Sequence, residues 1–432
     1  MSARVLSSEL PGLVGGRVLL QGWVHRVRDL GGVRFLLLRD RSGMAQVVVP
    51  PGLELAGIGC EWVVSVEGAV RREPRAPAGL EVHAERVAAI CPAEPPPLDV
   101  FKPLAAGAYR LDTLLDNRAV SLRIPEVLDV FRVQAQVLRA FRAFLGSQGF
   151  VEIATPKLVL AGAEGGAALF RVGYFEGEAS LSQSPQFYKQ IMVGSGLERV
   201  FEVGHAYRAE KSETSRHLTE FVSLDFEMGF IEGVGEVMDM LAELVRSTLK
   251  SVAANCAREL ERRGIALTAP DTIPQIALPE AVRILREEFG KVEGVRGDLD
   301  TEGEHLIGRW AQEKLGSPLV FVTGYDLEKR PAYTMPLAEE PTRSASFDLL
   351  YGGVEVATGG QRIHEYARLV ESFRARGLDP ADYADYLAAF RHGMPPHGGM
   401  GMGLERLTKQ MLGLANVREA CLFPRDRRRL RP

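Results

Sequence analysis

The stretch from Phe201 to Glu227 constrains the fold of this 432-residue chain most, because two apolar runs flank a charged loop. From Phe221 to Glu227 apolar and polar residues alternate, which is the period of a half-buried strand. The loop covers residues 211 to 216. The pattern therefore predicts two antiparallel strands joined as a hairpin.

The charged residues of this hairpin have two interpretations. We expect the pairing to set Arg208 and Glu210 against Asp225 and Glu227 on one face. Such a cluster is either a functional site or a salt-bridged, solvated face of a sheet. The hairpin alone favours neither interpretation.

Composition indicates a globular protein of two or three domains, with 46% apolar and 25% charged residues. The net charge of −4 does not indicate a partner, so nucleic-acid binding would need local basic patches. The four cysteines show no metal-binding spacing and favour reduced thiols. Because no long apolar run or signal peptide is evident, we expect a cytoplasmic protein without membrane association.

The first 90 residues predict a small barrel. Five short β-like runs are separated by glycine-bearing turns, as is typical of a closed barrel of the OB type. These runs are Arg17 to Val27, Val33 to Arg39, Ala45 to Val49, Trp62 to Val70 and Leu80 to Ala89. Such barrels often hold nucleic acid on one face, although a purely structural cap is the alternative.

Three motifs in order resemble those of the class II aminoacyl-tRNA synthetases. Arg208-x-Glu210, the polar loop and Arg216-His217-x-x-Glu220-Phe221 resemble motif 2. The strand after Gly149, which runs into Thr155-Pro156, resembles motif 1, and HGGMGMGLERL from His397 resembles motif 3. Asparaginyl enzymes resemble this chain but lack a lysine at Lys189, so the resemblance is to the aspartyl branch of class IIb.

The resemblance implies an α+β, multidomain fold. We expect an OB-fold anticodon-binding domain over residues 1–92, a proline-rich linker over 93–122, and a catalytic domain over 123–432 with an antiparallel sheet flanked by helices. A helix from Pro125 to Gly149 would form a homodimer interface. The chain has no room for the large extra domain of bacterial aspartyl enzymes and resembles the compact archaeal and eukaryotic type.

The implied activity is ATP-dependent ligation of L-aspartate to tRNA. The aspartate α-carboxylate attacks the α-phosphate of ATP, and the tRNA 3′ end then takes the aspartyl group from the adenylate. Arg208, Arg406 and Glu355 are the expected catalytic residues. The expected aspartate-binding residues are Glu164, Gln186, Lys189, Arg208, Asp225, Thr358 and Arg362. Around an asparagine side chain, Lys189 and Arg362 would be left unpaired, which predicts selection by charge.

The resemblance also implies an ATP site with Mg²⁺. Arg208 would bridge the aspartate carboxylate and the α-phosphate, Phe221 would stack on adenine, and Arg406 would bind the γ-phosphate. The expected ATP-binding residues are Arg208, Glu210, Arg216, His217, Leu218, Phe221, Glu355, Gly403, Leu404, Glu405 and Arg406. The expected metal ligands are Glu355, Thr358 and Asp348, with Thr358 in place of the family's usual serine. Taken alone, two acids on a hairpin are more often solvated.

In the barrel, the resemblance implies an anticodon reader. Phe35 would stack on the central base, Gln46 would hydrogen-bond it, and Glu67 and His25 are further candidates. His25 and the turn from Arg72 to Gly79 resemble members that charge both tRNA(Asp) and tRNA(Asn), so we expect the broader range. A strict tRNA(Asp) enzyme, an asparaginyl-type enzyme and a catalytically inactive RNA-binding paralogue remain the alternatives.

Overall fold

The computed structural model describes residues 3–55, 57–102, 104, 107–160, 162, 169–210 and 214–432. The chain divides into two compact units, Met1–Pro125 and Glu126–Pro432. Within those described ranges, the helices are all too short or too polar to cross a bilayer.

The first unit contains a closed five-stranded barrel with strand order β1-β2-β3-β5-β4. Its strands are β1 (Arg17–Leu30), β2 (Val33–Arg39), β3 (Met44–Val49), β4 (Val63–Arg72) and β5 (Leu80–Cys91). Alternate side chains point inward, and Leu36, Val47 and Val66 are fully buried. The predicted OB-type barrel is confirmed, and every strand end lies within three residues of its predicted position. Two short helices, α1 (Leu111–Asp116) and α2 (Arg118–Ser121), follow the barrel.

The second unit is organised around an eight-stranded sheet with order β12-β13-β14-β15-β16-β11-β10-β6. Its strands are β6 (Val151–Glu152), β10 (Arg199–Tyr207), β11 (Glu220–Gly229), β12 (Gln275–Ala277), β13 (Leu319–Thr323), β14 (Ser346–Tyr351), β15 (Val354–Arg362) and β16 (His397–Gly403). Among the described strands of this sheet, only the outer pairs β12–β13 and β10–β6 run parallel. A small second sheet consists of β7 (Leu158–Val159), β8 (Arg171–Tyr174) and β9 (Gly177–Leu181).

Helices cover this sheet and supply its apolar core. They are α3 (Pro125–Ser147), α4 (Gln186–Met192), α5 (Val234–Asn255), α6 (Ala257–Arg262), α7 (Leu278–Phe289), α8 (Thr301–Trp310), α9 (Tyr366–Ala375), α10 (Ala384–Arg391) and α11 (Leu404–Met411). One core cluster joins α3, α5 and α11 to the central strands through residues such as Phe226 and Met400. The predicted antiparallel sheet flanked by helices is therefore confirmed.

The register of the β10–β11 hairpin differs from the prediction. Asp225 pairs with Glu202 and Glu227 pairs with Val200, so neither lies opposite Arg208. Arg208 instead follows the end of β10, where its amide donates to the Thr219 carbonyl. Alternation shows which residues share a face, but the pairing partner depends on where the turn begins. Arg208 consequently lies at the loop end of the hairpin, several residues along the sheet from Asp225 and Glu227 on β11.

Glycines in β16 allow side chains of neighbouring strands to lie directly against its backbone. A Cβ on Gly399 would collide with the Phe226 carbonyl and with the Glu227 carboxylate. The absence of a side chain at this position leaves room for a buried charged group in the middle of the sheet.

We expect Gly399→Ala to destabilise the second unit by about 1–3 kcal/mol, since an extra methyl in a close-packed interior forces its neighbours apart. Thermal and urea unfolding, followed by circular dichroism, would measure the change.

Gly235→Ala is the matched control, because Gly235 lies in the exposed first turn of α5 with open space around it. There alanine should be neutral or stabilise by about 0.5–1 kcal/mol. Equal stability of the two variants would contradict the packing described for Gly399.

Candidate active site

A cavity of about 780 Å³ opens in the second unit along β11, β15 and β16. It brings together most of the residues predicted to bind substrates. Those lining it are Gln186, Arg208, Glu210, Arg216, His217, Leu218, Phe221, Asp225, Glu355, Thr358, Arg362, Gly403, Glu405 and Arg406. Glu164 lies outside the described residues.

Four charged side chains form a buried group at the floor of this cavity. Asp225 and Arg362 line the cavity, and Lys189 and Glu227 lie behind them. Lys189 Nζ lies 3.0 Å from Asp225 Oδ1 and 3.2 Å from Glu227 Oε2. Arg362 Nε donates to Glu227 Oε1 at 2.9 Å. All four side chains are at most 7% exposed, and Lys189 is nearly enclosed at 1%. We call these four residues the charge cluster.

Backbone carbonyls complete the coordination of the two cations. Lys189 Nζ donates to the Met400 carbonyl at 2.9 Å, and Arg362 Nη2 donates to the Gly399 carbonyl at 2.9 Å. Burial pushes the pKa of Glu227 upward, but the charges of Arg362 and then Lys189 outweigh burial and hold this pKa below its ordinary value. Glu227 therefore stays ionised, and the cluster carries two positive and two negative charges.

The motif 2 residues form the wall above this floor. The Arg208 guanidinium carbon lies 5.5 Å from the centroid of the Phe221 ring, and Arg208 Nη1 lies 3.9 Å from Glu210 Oε1. Arg208 Nε is buried and has no hydrogen-bond partner among the described residues. His217 contacts Glu210 at 3.5 Å, and burial, reinforced by nearby arginines, lowers its pKa. A cationic wall with an unused buried donor is suited to an anionic ligand.

Two arginines at the opposite end rest on carboxylates. Arg216 Nη1 lies 2.7 Å from Glu304 Oε2, and Arg406 Nη1 lies 3.3 Å from Glu355 Oε1. Glu304 also accepts from the Glu355 amide at 3.2 Å, and Arg406 Nε donates to the Arg216 carbonyl at 3.4 Å. Burial, followed by the charge of Glu355, raises the pKa of Glu304 to about 7. These contacts join motif 2, motif 3 and β15 into one arrangement.

The three predicted metal ligands are close in the sheet, but one of them is engaged elsewhere. Asp348 pairs with Thr358 across β14 and β15. Arg330 donates to both Asp348 oxygens, at 3.0 and 2.7 Å, and to Thr358 Oγ1 at 3.2 Å. The described part of the chain contains no cluster of three or more histidine, cysteine or acidic residues arranged for a metal.

Two predicted ATP-binding residues at the start of α11 have structural contacts. Leu404 is 2% exposed and belongs to the apolar core. The Glu405 carboxylate accepts from the Val222 amide at 3.1 and 3.2 Å, and burial raises its pKa to about 7. Glu405 thus links α11 to β11 while it also lines the cavity.

The barrel has its own cavity of about 370 Å³, in the first unit. Its lining is basic and aromatic, as contact with a stacked nucleic acid base requires. It consists of Arg26, Arg28, Phe35, Leu37, Gln46, Arg75 and Ala76. Gln46 Nε2 donates to Glu81 Oε2 at 3.1 Å. Phe35 and Gln46 are therefore brought together.

The other two anticodon candidates lie apart from this cavity. Glu67 is exposed and lies 3.6 Å from Arg86 Nη1. His25 is only 6% exposed, with its Nδ1 3.2 Å from Arg39 Nη1 and its ring 5.5 Å from that of Phe101. Burial, with the charge of Arg39, lowers the pKa of His25. His25 could therefore influence an anticodon base only indirectly, through residues that it contacts such as Arg39.

Some site residues were not predicted from the sequence. Glu304 and Arg330 lie in segments without a recognisable motif, and Glu227 was assigned to the hairpin without a role. Asp300 accepts from the Gly303 amide and caps the helix that carries Glu304. That cap predicts a helix start, but it carries no information about what the helix contacts.

The comparisons with known proteins agree with this geometry. A model described as tRNA synthetases class II (D, K and N) matches residues 110–427, and an OB-fold nucleic acid binding domain matches residues 18–90. The chain is 47% identical over 430 residues to the aspartate–tRNA(Asp/Asn) ligase of Aeropyrum pernix, covering 97% of this chain and 96% of that protein. It is 45% identical over 429 residues to the aspartate–tRNA(Asp) ligase of Thermococcus kodakarensis, covering 97% of each.

A solved structure has the same fold over the whole chain. The asparaginyl-tRNA synthetase of Pyrococcus horikoshii, complexed with asparaginyl-adenylate, superimposes with a TM-score of 0.92 at 33% identity and covers 100% of both chains. Since the family match spans most of the chain and two relatives exceed 40% identity over nearly all of it, this protein belongs to the class II tRNA synthetases of the D, K and N type.

Proposed function

We propose that this synthetase is an aspartate–tRNA ligase that charges both tRNA(Asp) and tRNA(Asn). In the first step, an aspartate α-carboxylate oxygen attacks the α-phosphate of ATP and diphosphate leaves. In the second step, a ribose hydroxyl at the tRNA 3′ end attacks the aspartyl carbonyl and AMP leaves. The observation that carries the choice of aspartate is the charge cluster on the cavity floor.

The charge of this cluster suits an acidic side chain. The sequence predicts that an asparagine side chain would leave Lys189 and Arg362 unpaired. In the structure both cations are already paired with carboxylates, so that prediction does not hold in its simple form. If Asp225 turns to the ammonium group of the substrate, Lys189, Arg362 and Glu227 remain, with one net positive charge. A side-chain carboxylate neutralises that charge, whereas an amide leaves it uncompensated in a buried site.

The upper wall suits ATP and the reacting carboxylate. Arg208 has a buried donor without a partner among the described residues, and its guanidinium lies over the edge of the cavity beside Phe221. Arg216 and Arg406 are held on carboxylates, from which phosphate oxygens can take them. Loss of one preorganised hydrogen-bond donor aimed at developing charge costs about 2.7–4 kcal/mol in an oxyanion hole, which sets the scale for such groups. No side-chain nucleophile is needed.

The donor set also fits Mg²⁺. Glu355, Asp348 and Thr358 offer only oxygen atoms, and magnesium is commonly bound by one or two carboxylates together with substrate phosphates. These three residues would hold the ion, which would supply positive charge to offset that of the diphosphate. Arg330 would have to share or release Asp348, which both of its amino groups contact.

We expect Lys189→Leu to lower kcat/KM for aspartate by about 10²- to 10⁴-fold, because a buried ion that loses its partner costs about 3–5 kcal/mol. The affinity for ATP should change little, since Lys189 does not contact the upper wall. Aspartate-dependent ATP–diphosphate exchange and calorimetric titration with ATP would measure the two effects.

Lys291→Leu is the control for this variant, because Lys291 contacts Asp300 and Glu302 away from the cavity. Circular dichroism would verify that both variants fold. Normal aspartate activation by folded Lys189→Leu, or faster activation of asparagine by the wild-type enzyme, would contradict the assignment to aspartate.

The proposed tRNA range rests on the barrel. The aromatic and basic lining around Phe35 and Gln46 suits a single-stranded anticodon loop. The Aeropyrum pernix relative is an aspartate–tRNA(Asp/Asn) ligase and the Thermococcus kodakarensis relative is an aspartate–tRNA(Asp) ligase, so similarity is compatible with either range. His25 and the turn from Arg72 to Gly79 resemble members that charge both tRNAs, which favours the broader range. Because His25 is buried against Arg39, it would act through that arginine and not by contact with a base.

We further propose that the enzyme is a cytoplasmic homodimer. Motif 1 exposes apolar side chains, with Val151 43% and Leu158 49% exposed, as an interface requires. Light scattering coupled to gel filtration would measure the mass in solution.

We expect the wild-type enzyme to aminoacylate tRNA(Asp) and tRNA(Asn) transcripts at initial rates within about tenfold of each other, because one mismatched base contact costs roughly 1–3 kcal/mol and the relaxed enzyme lacks that penalty. Phe35→Ala should weaken both reactions by about 5- to 150-fold through loss of base stacking. ATP–diphosphate exchange without tRNA is the internal control and should be unchanged. Charging of tRNA(Asp) alone would establish the strict enzyme instead.

A further inference from the structure

A chain of hydrogen bonds runs behind the cavity floor to the arginine of the charge cluster. His397 Nδ1 lies 2.8 Å from the Pro395 carbonyl oxygen, and His397 Nε2 lies 2.8 Å from Gln190 Nε2. Gln186 Nε2 donates to Gln190 Oε1 at 3.0 Å. Arg362 Nη2 donates to Gln186 Oε1 at 3.4 Å. Gln190 and His397 have no solvent exposure, and Gln186 is 4% exposed.

The backbone fixes the direction of this chain at one end. A carbonyl oxygen can only accept, so the proton of the neutral His397 ring must be on Nδ1, facing Pro395. Nε2 is then an acceptor and must face a donor. Burial lowers the pKa of His397 to about 4, so the ring remains neutral near pH 7.

The orientation of two amides follows from that tautomer. Gln190 must direct its amino group to His397 Nε2, which leaves its carbonyl oxygen for Tyr386 and Gln186. Tyr386 donates its hydroxyl proton to this oxygen at 3.0 Å. Gln186 must then direct its amino group to Gln190 and its carbonyl oxygen to Arg362. A flip of either amide would oppose two donors or two acceptors in a buried site.

We propose that Gln190 and His397 are positioning residues for amino-acid selection, which hold the Gln186 amide with its oxygen on Arg362 and its remaining N–H available to the substrate. The inference rests on the proposed activation of aspartate. With Gln186 in this orientation, the cavity floor offers one N–H donor of Gln186 beside the positive charge of Arg362. A carboxylate only accepts, so it satisfies both, whereas an amide brings a donor of its own.

The aromatic surroundings explain why these groups cannot reorient. Tyr386 stacks on Phe187 with ring centroids 4.2 Å apart, and Phe390 lies 5.9 Å from the His397 ring. Because this cluster is close-packed, a flipped amide could not reach another partner without displacing these rings. The Pro395 carbonyl, just before β16, thus fixes the orientation of the Gln186 amide through His397 and Gln190.

The test measures ATP–diphosphate exchange with aspartate and with asparagine. Gln190→Met keeps the side-chain volume but removes both the donor and the acceptor. We expect kcat/KM for aspartate to fall about tenfold or more, as for a buried hydrogen bond lost, and the preference for aspartate over asparagine to narrow. KM for ATP should stay within about twofold, because the ATP wall is not involved. An unchanged preference would overturn the proposal.

Tyr386→Phe is the milder variant in case Gln190→Met folds poorly. It removes one donor to Gln190 and keeps the ring stack, so a fall of roughly three- to tenfold in kcat/KM for aspartate is expected. Tyr366→Phe is its matched control, because the Tyr366 hydroxyl only accepts from Arg391 near the surface. Equal values of kcat/KM for aspartate in these two variants would overturn the proposed role of the hydrogen-bond chain.

A spectroscopic measurement tests the hydrogen-bond chain independently of enzyme activity. In ¹⁵N-labelled protein, the His397 signals, assigned by comparison with His397→Gln, should show a neutral ring protonated on Nδ1 at pH 7. A ring protonated on Nε2, or an imidazolium, would overturn the proposal. If wild-type enzyme activates no aspartate while this tautomer is present, the proposed function fails and the hydrogen-bond chain remains.

Discussion

The pairing of Lys189 and Arg362 with Asp225 and Glu227 is the interaction on which the catalytic unit depends. The two acids come from β11, the arginine from β15 and the lysine from α4, while β16 supplies the carbonyls that complete both cations. A buried charge costs several kcal/mol unless it is paired, so all four elements must be in place together. A slip of one residue in β11 would turn both acids to the other face of the sheet and leave both cations unpaired.

The ion pairs near the cavity entrance are built differently. Arg406 and Glu355 have side-chain exposures of 24% and 33%, whereas those of the charge cluster do not exceed 7%. A partly solvated pair is weak and can exchange partners at little cost, while a buried pair cannot. The floor is therefore suited to selecting a side chain, and the entrance is suited to releasing its arginines to phosphates and recovering them when diphosphate leaves.

Much of this arrangement follows from the sequence, and the remainder has identifiable reasons. Alternation predicted the barrel strands and the central hairpin, because residues that share a face recur with period two. The predicted register of the hairpin was wrong, because alternation does not specify which residues pair across the two strands. Arg208 lies beyond the end of β10, not opposite Asp225 or Glu227. Glu304 contacts Arg216 from 88 residues away in the chain, and no local pattern encodes such a contact. The pairing of Lys189 with carboxylates was missed because charge balance in a core depends on the complete fold.

Amino-acid selection within this fold must come from few atoms. An asparaginyl enzyme shares the backbone over the full chain with a TM-score of 0.92, so the path of the strands cannot distinguish aspartate from asparagine. The two substrates are nearly the same size and differ in one charge and in two N–H donors. A selective floor therefore has to control both the net charge and the direction of each hydrogen bond. The charge cluster supplies the first, and the orientation of Gln186, set from the Pro395 carbonyl through His397 and Gln190, supplies the second.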